Sequence, residues 1–102
     1  MKKSINEQKA IIFKALSNPV RLDIIDQLLD GEKCVCELQT ALKKYEQPHI
    51  SKSLAKLKAV GLLQDRREGN NIFYALRIGG MGRFFACLNE IISGRSPEEA
   101  CK

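Results

Sequence analysis

The sequence predicts a mainly α-helical chain with one small β-hairpin, and three observations predict it. Apolar residues recur at helical spacing in five stretches, two β-rich runs flank Glu68-Gly69-Asn70-Asn71, and Pro or Gly stands where most of the helices must start or stop. At 102 residues the chain reads as one domain, residues 1–102. Its 44% hydrophobic content supports a packed core, but a chain this short leaves much of its surface in water and is often completed by a partner subunit.

The elements follow in order. Over 5–16, Ile5, Ile12 and Leu16 share one side, with Ile11 and Phe13 widening the stripe, which predicts a first helix. Asn18 then caps and Pro19 opens a second helix, which turns Leu22, Ile25, Leu28 and Leu29 inward, Asp23, Asp26 and Asp30 outward, and ends at Gly31. Lys33-Cys34-Val35 reads as a short extended piece, and a third helix runs from Glu37 with Leu38, Ala41 and Leu42 inward. Pro48 opens a fourth helix whose apolar stripe is Ile50, Leu54 and Leu57, ending near Gly61. Leu62 to Arg67 and Ile72 to Ile78 form the hairpin. After Gly79-Gly80, the spacing of Phe84, Phe85, Leu88, Ile91 and Ile92 predicts a last helix.

Charge narrows the function. Of 17 Lys and Arg against 12 Asp and Glu, seven basic and two acidic residues fall between Lys43 and Arg67, so the whole surplus of +5 lies there. Concentrated positive charge is the electrostatic footprint of a nucleic-acid surface, although a membrane face or plain solubility would look similar on charge alone. The local pattern decides. His49, Lys52, Ser53 and Lys56 form a polar stripe beside the apolar one of helix four, so one face anchors and the next is open to read a major groove. Arg66 and Arg67, beside Gly69, Asn70 and Asn71, put cations and amides at the tip of a projection suited to phosphates or a minor groove. Helix-turn-helix followed by a basic hairpin is a winged-helix arrangement. The apolar stripes of the first and last helices exceed what so small a core covers, which predicts a homodimer through those helices.

Other classes find no footing. No apolar run approaches the roughly 20 residues of a membrane span, and no apolar signal core follows Met1-Lys2-Lys3, so a cytoplasmic chain without membrane contact is expected. With a single His, on the proposed reading face, there is no nucleophile-base constellation for an enzyme, and no organic cofactor is expected. In a reducing compartment Cys34, Cys36, Cys87 and Cys101 are core residues, metal ligands or redox sensors. In extended chain Cys34 and Cys36 point the same way, so both sulfurs could face one ion, and Cys36 sits where helix three begins, a position that favours a thiolate. Soft thiolates suit arsenite, antimonite, cadmium or lead.

The chain resembles the ArsR/SmtB family of dimeric metal- and stress-responsive repressors. The resemblance runs through Phe13-Lys14-Ala15-Leu16-Ser17-Asn18-Pro19-Val20-Arg21-Leu22, Cys34-Val35-Cys36-Glu37-Leu38, the stretch from Gln47 to Leu57, Gly61-Leu62 and Arg66-Arg67-Glu68-Gly69. It implies a homodimer on double-stranded operator DNA, helix four as the recognition helix, and release when an effector binds. The helix-four motif adds Gln47 and Ser51 to the DNA-contact set, and the hairpin adds Asn70. Arg21 looks conventional for the family and could equally pair with Asp26 or Glu32. The Cys-Val-Cys motif looks like that of the arsenic-responsive and cadmium/lead-responsive branches, so As(III) is the expected effector, with Sb(III), Cd(II) and Pb(II) as alternatives. Arsenic sensors with this motif often have a further Cys three residues on, where this chain has Gln39. A third thiolate is therefore assigned to Cys101, ahead of Cys87, which reads as a buried interface thiol. The competing expectation keeps the DNA binding but makes the Cys residues a sensor of redox state or reactive sulfur.

Overall fold

The computed structural model describes residues 2–94. Its order is α1 (Ile5–Leu16), α2 (Pro19–Leu28), β1 (Lys33–Cys34), α3 (Val35–Ala41), α4 (Gln47–Ala59), β2 (Leu63–Glu68), β3 (Asn71–Leu76) and α5 (Met81–Ile92). Local chemistry sets the helix starts. Ser4 and Glu7 cap α1 reciprocally: the Glu7 N–H donates to Ser4 Oγ at 3.1 Å and the Ser4 N–H to Glu7 Oε1 at 2.9 Å. Asn18 Oδ1 accepts from the N–H groups of Val20 and Arg21, with Pro19 at the first helical position.

The expected hairpin gains a third strand. The sheet order is β1-β3-β2, antiparallel throughout, with Lys33 opposite Tyr74 and Cys34 opposite Phe73. The short extended piece before α3 thus becomes an edge of the wing. Gly69, at φ +62°, occupies the first central position of the two-residue turn between Glu68 and Asn71, as a type II′ hairpin requires.

The core joins α2, α3 and α4 to the base of the wing through Ile24, Ile25, Leu28, Leu38, Ile50, Leu54, Leu57, Leu62 and Leu63. On α2 Ile25 and Leu28 are buried as expected, but Val20 and Ile24 join them on the buried face, whereas Leu22 is half-buried and Leu29 is exposed just past the helix. The outer helices are the opposite case. On α1 only Ala15 is buried, while Ile5 is 67% and Phe13 56% exposed; on α5 Phe84, Ile91 and Ile92 face solvent. That apolar surface is what the expected dimer would cover. Among the described residues no helix is long and apolar enough to cross a membrane.

Candidate nucleic-acid interface and thiol site

Helix α4 presents its polar face as the sequence predicts at Gln47, His49, Ser51, Lys52 and Lys56, all exposed, above a buried stripe of Ile50, Leu54 and Leu57. Ser53 departs from the reading set. It is 5% exposed, one of the buried positions of α4, because a residue one turn before Leu57 and three after Ile50 falls on the inner edge of the helix. The turn entering α4 is tied down from α2: the Tyr45 hydroxyl donates to Asp23 Oδ2 at 2.5 Å, and Lys44 pairs with the same oxygen at 3.4 Å. The Tyr45 ring then meets His49 edge-on, centroids 5.9 Å apart. This brace was not read from the sequence, since Asp23 and Tyr45 are 22 residues apart and neither belongs to a local motif.

On the wing, Arg67 and Asn70 are exposed as expected. Arg66 is reassigned. Its guanidinium is bound by Glu32, with Nε 3.0 Å from Oε2, and by Glu68 at 2.6 Å, and it lies 4.6 Å over the Phe73 ring. An Arg already holding two carboxylates and an aromatic face is a strut of the wing, with little capacity left for phosphate. Hydrogen bonding to Arg66 is the first cause holding the Glu32 carboxyl below its usual range.

The two thiols are free, Cys34 half-buried and Cys36 exposed, but not disposed as expected. Cys34 ends β1 and serves as N-cap of α3; Cys36 is the second residue of the helix. The extended geometry that would aim both sulfurs at one ion is therefore absent, since the helix starts two residues earlier than its apolar pattern signals. The early start has a cause in Glu37, whose carboxylate accepts from the Cys34 N–H at 3.0 Å and is held below the usual range chiefly by that bond. Cys36 opens onto a groove of about 330 Å³ that it shares with Ser51 of α4 and with Asn70, Asn71 and Tyr74 of the wing. Among the described residues no group of three His, Cys, Asp or Glu side chains is placed to hold a metal. Cys101 lies outside the described residues. Gln39, in the place of a third Cys, keeps its Nε2 shut off from solvent with no hydrogen-bond partner.

Arg21 pairs with neither Asp26 nor Glu32. It reaches back along the chain, donating from Nη1 to the Ala15 carbonyl at 2.8 Å at the end of α1. Beside it, Asn18, His49, Lys52, Ser53 and Lys56 complete the lining of a cavity of about 250 Å³ between the α2 N-terminus and α4.

Residues 18–65 match the family model for bacterial regulatory proteins of the arsR family. The chain is 47% identical over 66 residues to the arsenical resistance operon repressor of Escherichia coli K12, covering 64% of this chain and 56% of that protein. It is 37% identical over 90 residues to the biofilm growth-associated repressor of Agrobacterium fabrum, covering 88% of this chain and 74% of that one. Among solved structures, the homodimeric winged helix-turn-helix DNA-binding domain of a possible ArsR-family regulator from Mycobacterium bovis superposes with a TM-score of 0.74 at 34% identity. That match covers 87% of this chain and 82% of the other. The chain spans about half the length of the curated arsenic-resistance relatives it matches.

Proposed function

This chain belongs to the ArsR family of winged-helix DNA-binding transcriptional regulators, and on that premise we propose that it is a homodimeric repressor of operator DNA that lets go when arsenite binds Cys34 and Cys36. Helix α4 enters the major groove with Gln47, His49, Ser51, Lys52 and Lys56, the wing adds Arg67 and Asn70, and α1 with α5 pairs two subunits so that their recognition helices meet half-sites about 34 Å apart.

The observation that carries the reading is the groove at Cys36. A thiol that shares one cleft with Ser51 of the reading helix and Asn70 of the wing stands where any ion it takes up must alter their spacing. Because Cys34 and Cys36 sit at the N-cap and second position of α3, engaging both thiolates requires the first turn of α3 to open. Opening it strips the Glu37 cap and pulls on the pairing of Cys34 with Phe73. Two thiolates suit As(III), and also Sb(III), Cd(II) or Pb(II), by softness. A third ligand comes from solvent or from a small thiol. The arsenic-resistance relatives support arsenite among these.

The test is fluorescence anisotropy on purified, reduced protein with a duplex selected from random sequence, titrated with sodium arsenite. Binding followed by release is expected for the wild type, and binding without release for Cys34→Ser/Cys36→Ser. Arsenite release that persists in the double variant would move the sensing site elsewhere, and absence of selective duplex binding would overturn the repressor reading.

A further inference from the structure

Ion pairing neutralises some of the described cations and leaves others open. Lys44 is held by Asp23, Lys58 by Asp65 at 2.9 Å, and Arg66 by Glu32 and Glu68. Lys14, Lys52 and Lys56 have no carboxylate within reach among the described residues. These three lie on one side of the molecule, whereas Lys9, Lys33 and Lys43, also without an ion pair, line neither of the grooves there. The cavity of about 250 Å³ holding Arg21, His49, Lys52 and Lys56 adjoins a second groove, of about 540 Å³, where Arg21 and Lys56 meet Lys14. Neither is lined by a single Asp or Glu.

The polar atoms of this surface are nearly all donors. Arg21 spends one N–H on the Ala15 carbonyl, which fixes the guanidinium in the cleft and leaves its other donors without a protein acceptor. Asn18 uses its Oδ1 for the amides of Val20 and Arg21, so its Nδ2 is the group left over. Like charges gathered without counter-charge repel one another, and a planar guanidinium fork beside ammonium groups is the arrangement that receives a phosphate.

We infer that the corner where α1 meets α2 is a phosphodiester-binding site, in which Arg21 and Lys14, with Lys56 shared from α4, grip the backbone of the duplex outside the groove that α4 reads. This rests on the DNA-binding reading and extends it to residues with no base to contact. The contact is blind to sequence; its effect is to fix the depth and angle at which α4 enters.

The experiment measures the salt dependence of binding by the dimer of the 102-residue chain, on the selected duplex and on a scrambled one of equal length, between about 50 and 200 mM KCl. The variants are Lys14→Gln, Arg21→Lys and, as a control of equal charge change on the exposed face of α1 outside both grooves, Lys9→Gln. Lys14→Gln is expected to lower the slope of log K against log salt by about 0.9, one phosphate contact, and to weaken both duplexes by the same factor. Arg21→Lys keeps the charge and loses the fork, so it is expected to weaken both duplexes several-fold. Lys9→Gln is expected to match the wild type. Slopes for Lys14→Gln equal to those of Lys9→Gln, with wild-type affinity in Arg21→Lys, would overturn the inference while leaving the DNA-binding reading intact. A wild type that binds no duplex would overturn both. Inorganic phosphate is titrated at constant ionic strength as the other source of the same chemistry. Saturable phosphate binding lost in Arg21→Lys, with unchanged duplex slopes, would reassign the site to a free oxyanion and overturn the commitment to DNA.

Discussion

Glu32 and Arg66, 34 residues apart, close an ion pair that ties the segment before β1 to the middle of the wing. Arg66 also covers Phe73, and Phe73 stands between Cys34 on one side and Arg66 on the other in the register of the sheet. Directly opposed residues of antiparallel strands share a face, so Cys34, Phe73 and Arg66 form one row. Glu32→Gln should leave the core folded and loosen this edge, seen as faster hydrogen exchange at Lys33 and Cys34. The effect has a pH signature. A carboxyl held low by its partner stabilises the fold above its unfolded value, about 4.3 for Glu, and that contribution is lost as pH falls through the lower folded value. Acidification through and below pH about 4 should therefore reproduce the exchange pattern of Glu32→Gln in the wild type, while the variant shows no further change from this pair.

For DNA reading, His49→Ala should relax base preference, each good base contact being worth about 1 to 3 kcal/mol. Ser53→Ala should leave preference unchanged, since that side chain is buried. Arg67→Ala should weaken all sequences alike and lower the salt slope by about 1. Binding-site selection on the three variants checks the assignment; relaxed preference in Ser53→Ala alone would reverse it.

Assembly is best tested at Ile91, half exposed on α5, because Leu88 packs partly against its own subunit. Ile91→Glu should yield a folded chain that scatters light as a monomer and binds a two-half-site operator more weakly. An unchanged dimer would remove the outer face of α5 from the interface.

Within the core, Ile24→Ala should cost about 2 to 5 kcal/mol in denaturant unfolding, since Ile24 is wholly buried between α2 and the rest of the core. The half-buried Leu22 should cost less when truncated.

Gln39 offers a test of the incomplete thiol set. Gln39→Cys replaces an unsatisfied buried amide with a small apolar thiol, and leaving such a group unpaired costs about 1 to 3 kcal/mol. The variant should be at least as stable as the wild type and bind arsenite more tightly, read by sulfur-to-arsenic absorbance.

The elements were legible where a local rule fixes them. Asn18-Pro19 starts α2, the apolar stripe of α4 settles which face is free, and Gly69 sets the hairpin turn. Where two adjacent stripes compete, as Ile24 against Leu22 on α2, periodicity chooses badly, because helix rotation is decided by what packs against it. Arg66 shows the other limit: its identity as a cation was plain, but its neutralisation comes from Glu32, distant in sequence. The backbone of the thiol pair was misread locally, for an extended Cys-Val-Cys was expected where Glu37 caps a helix that begins at Val35.

The order β1-β3-β2 leaves β2 as the open rim of the sheet. A rim with unpaired amides and carbonyls invites another chain to add itself as a strand, a route to aggregates. After Leu63 this strand reads Gln64, Asp65, Arg66, Arg67 and Glu68, all exposed. Charged side chains at four successive positions would have to be desolvated by any strand added there, which opposes such stacking. The charged residues of this strand thus guard the solubility of the wing, and neutral substitutions there should be judged by turbidity as well as by DNA binding.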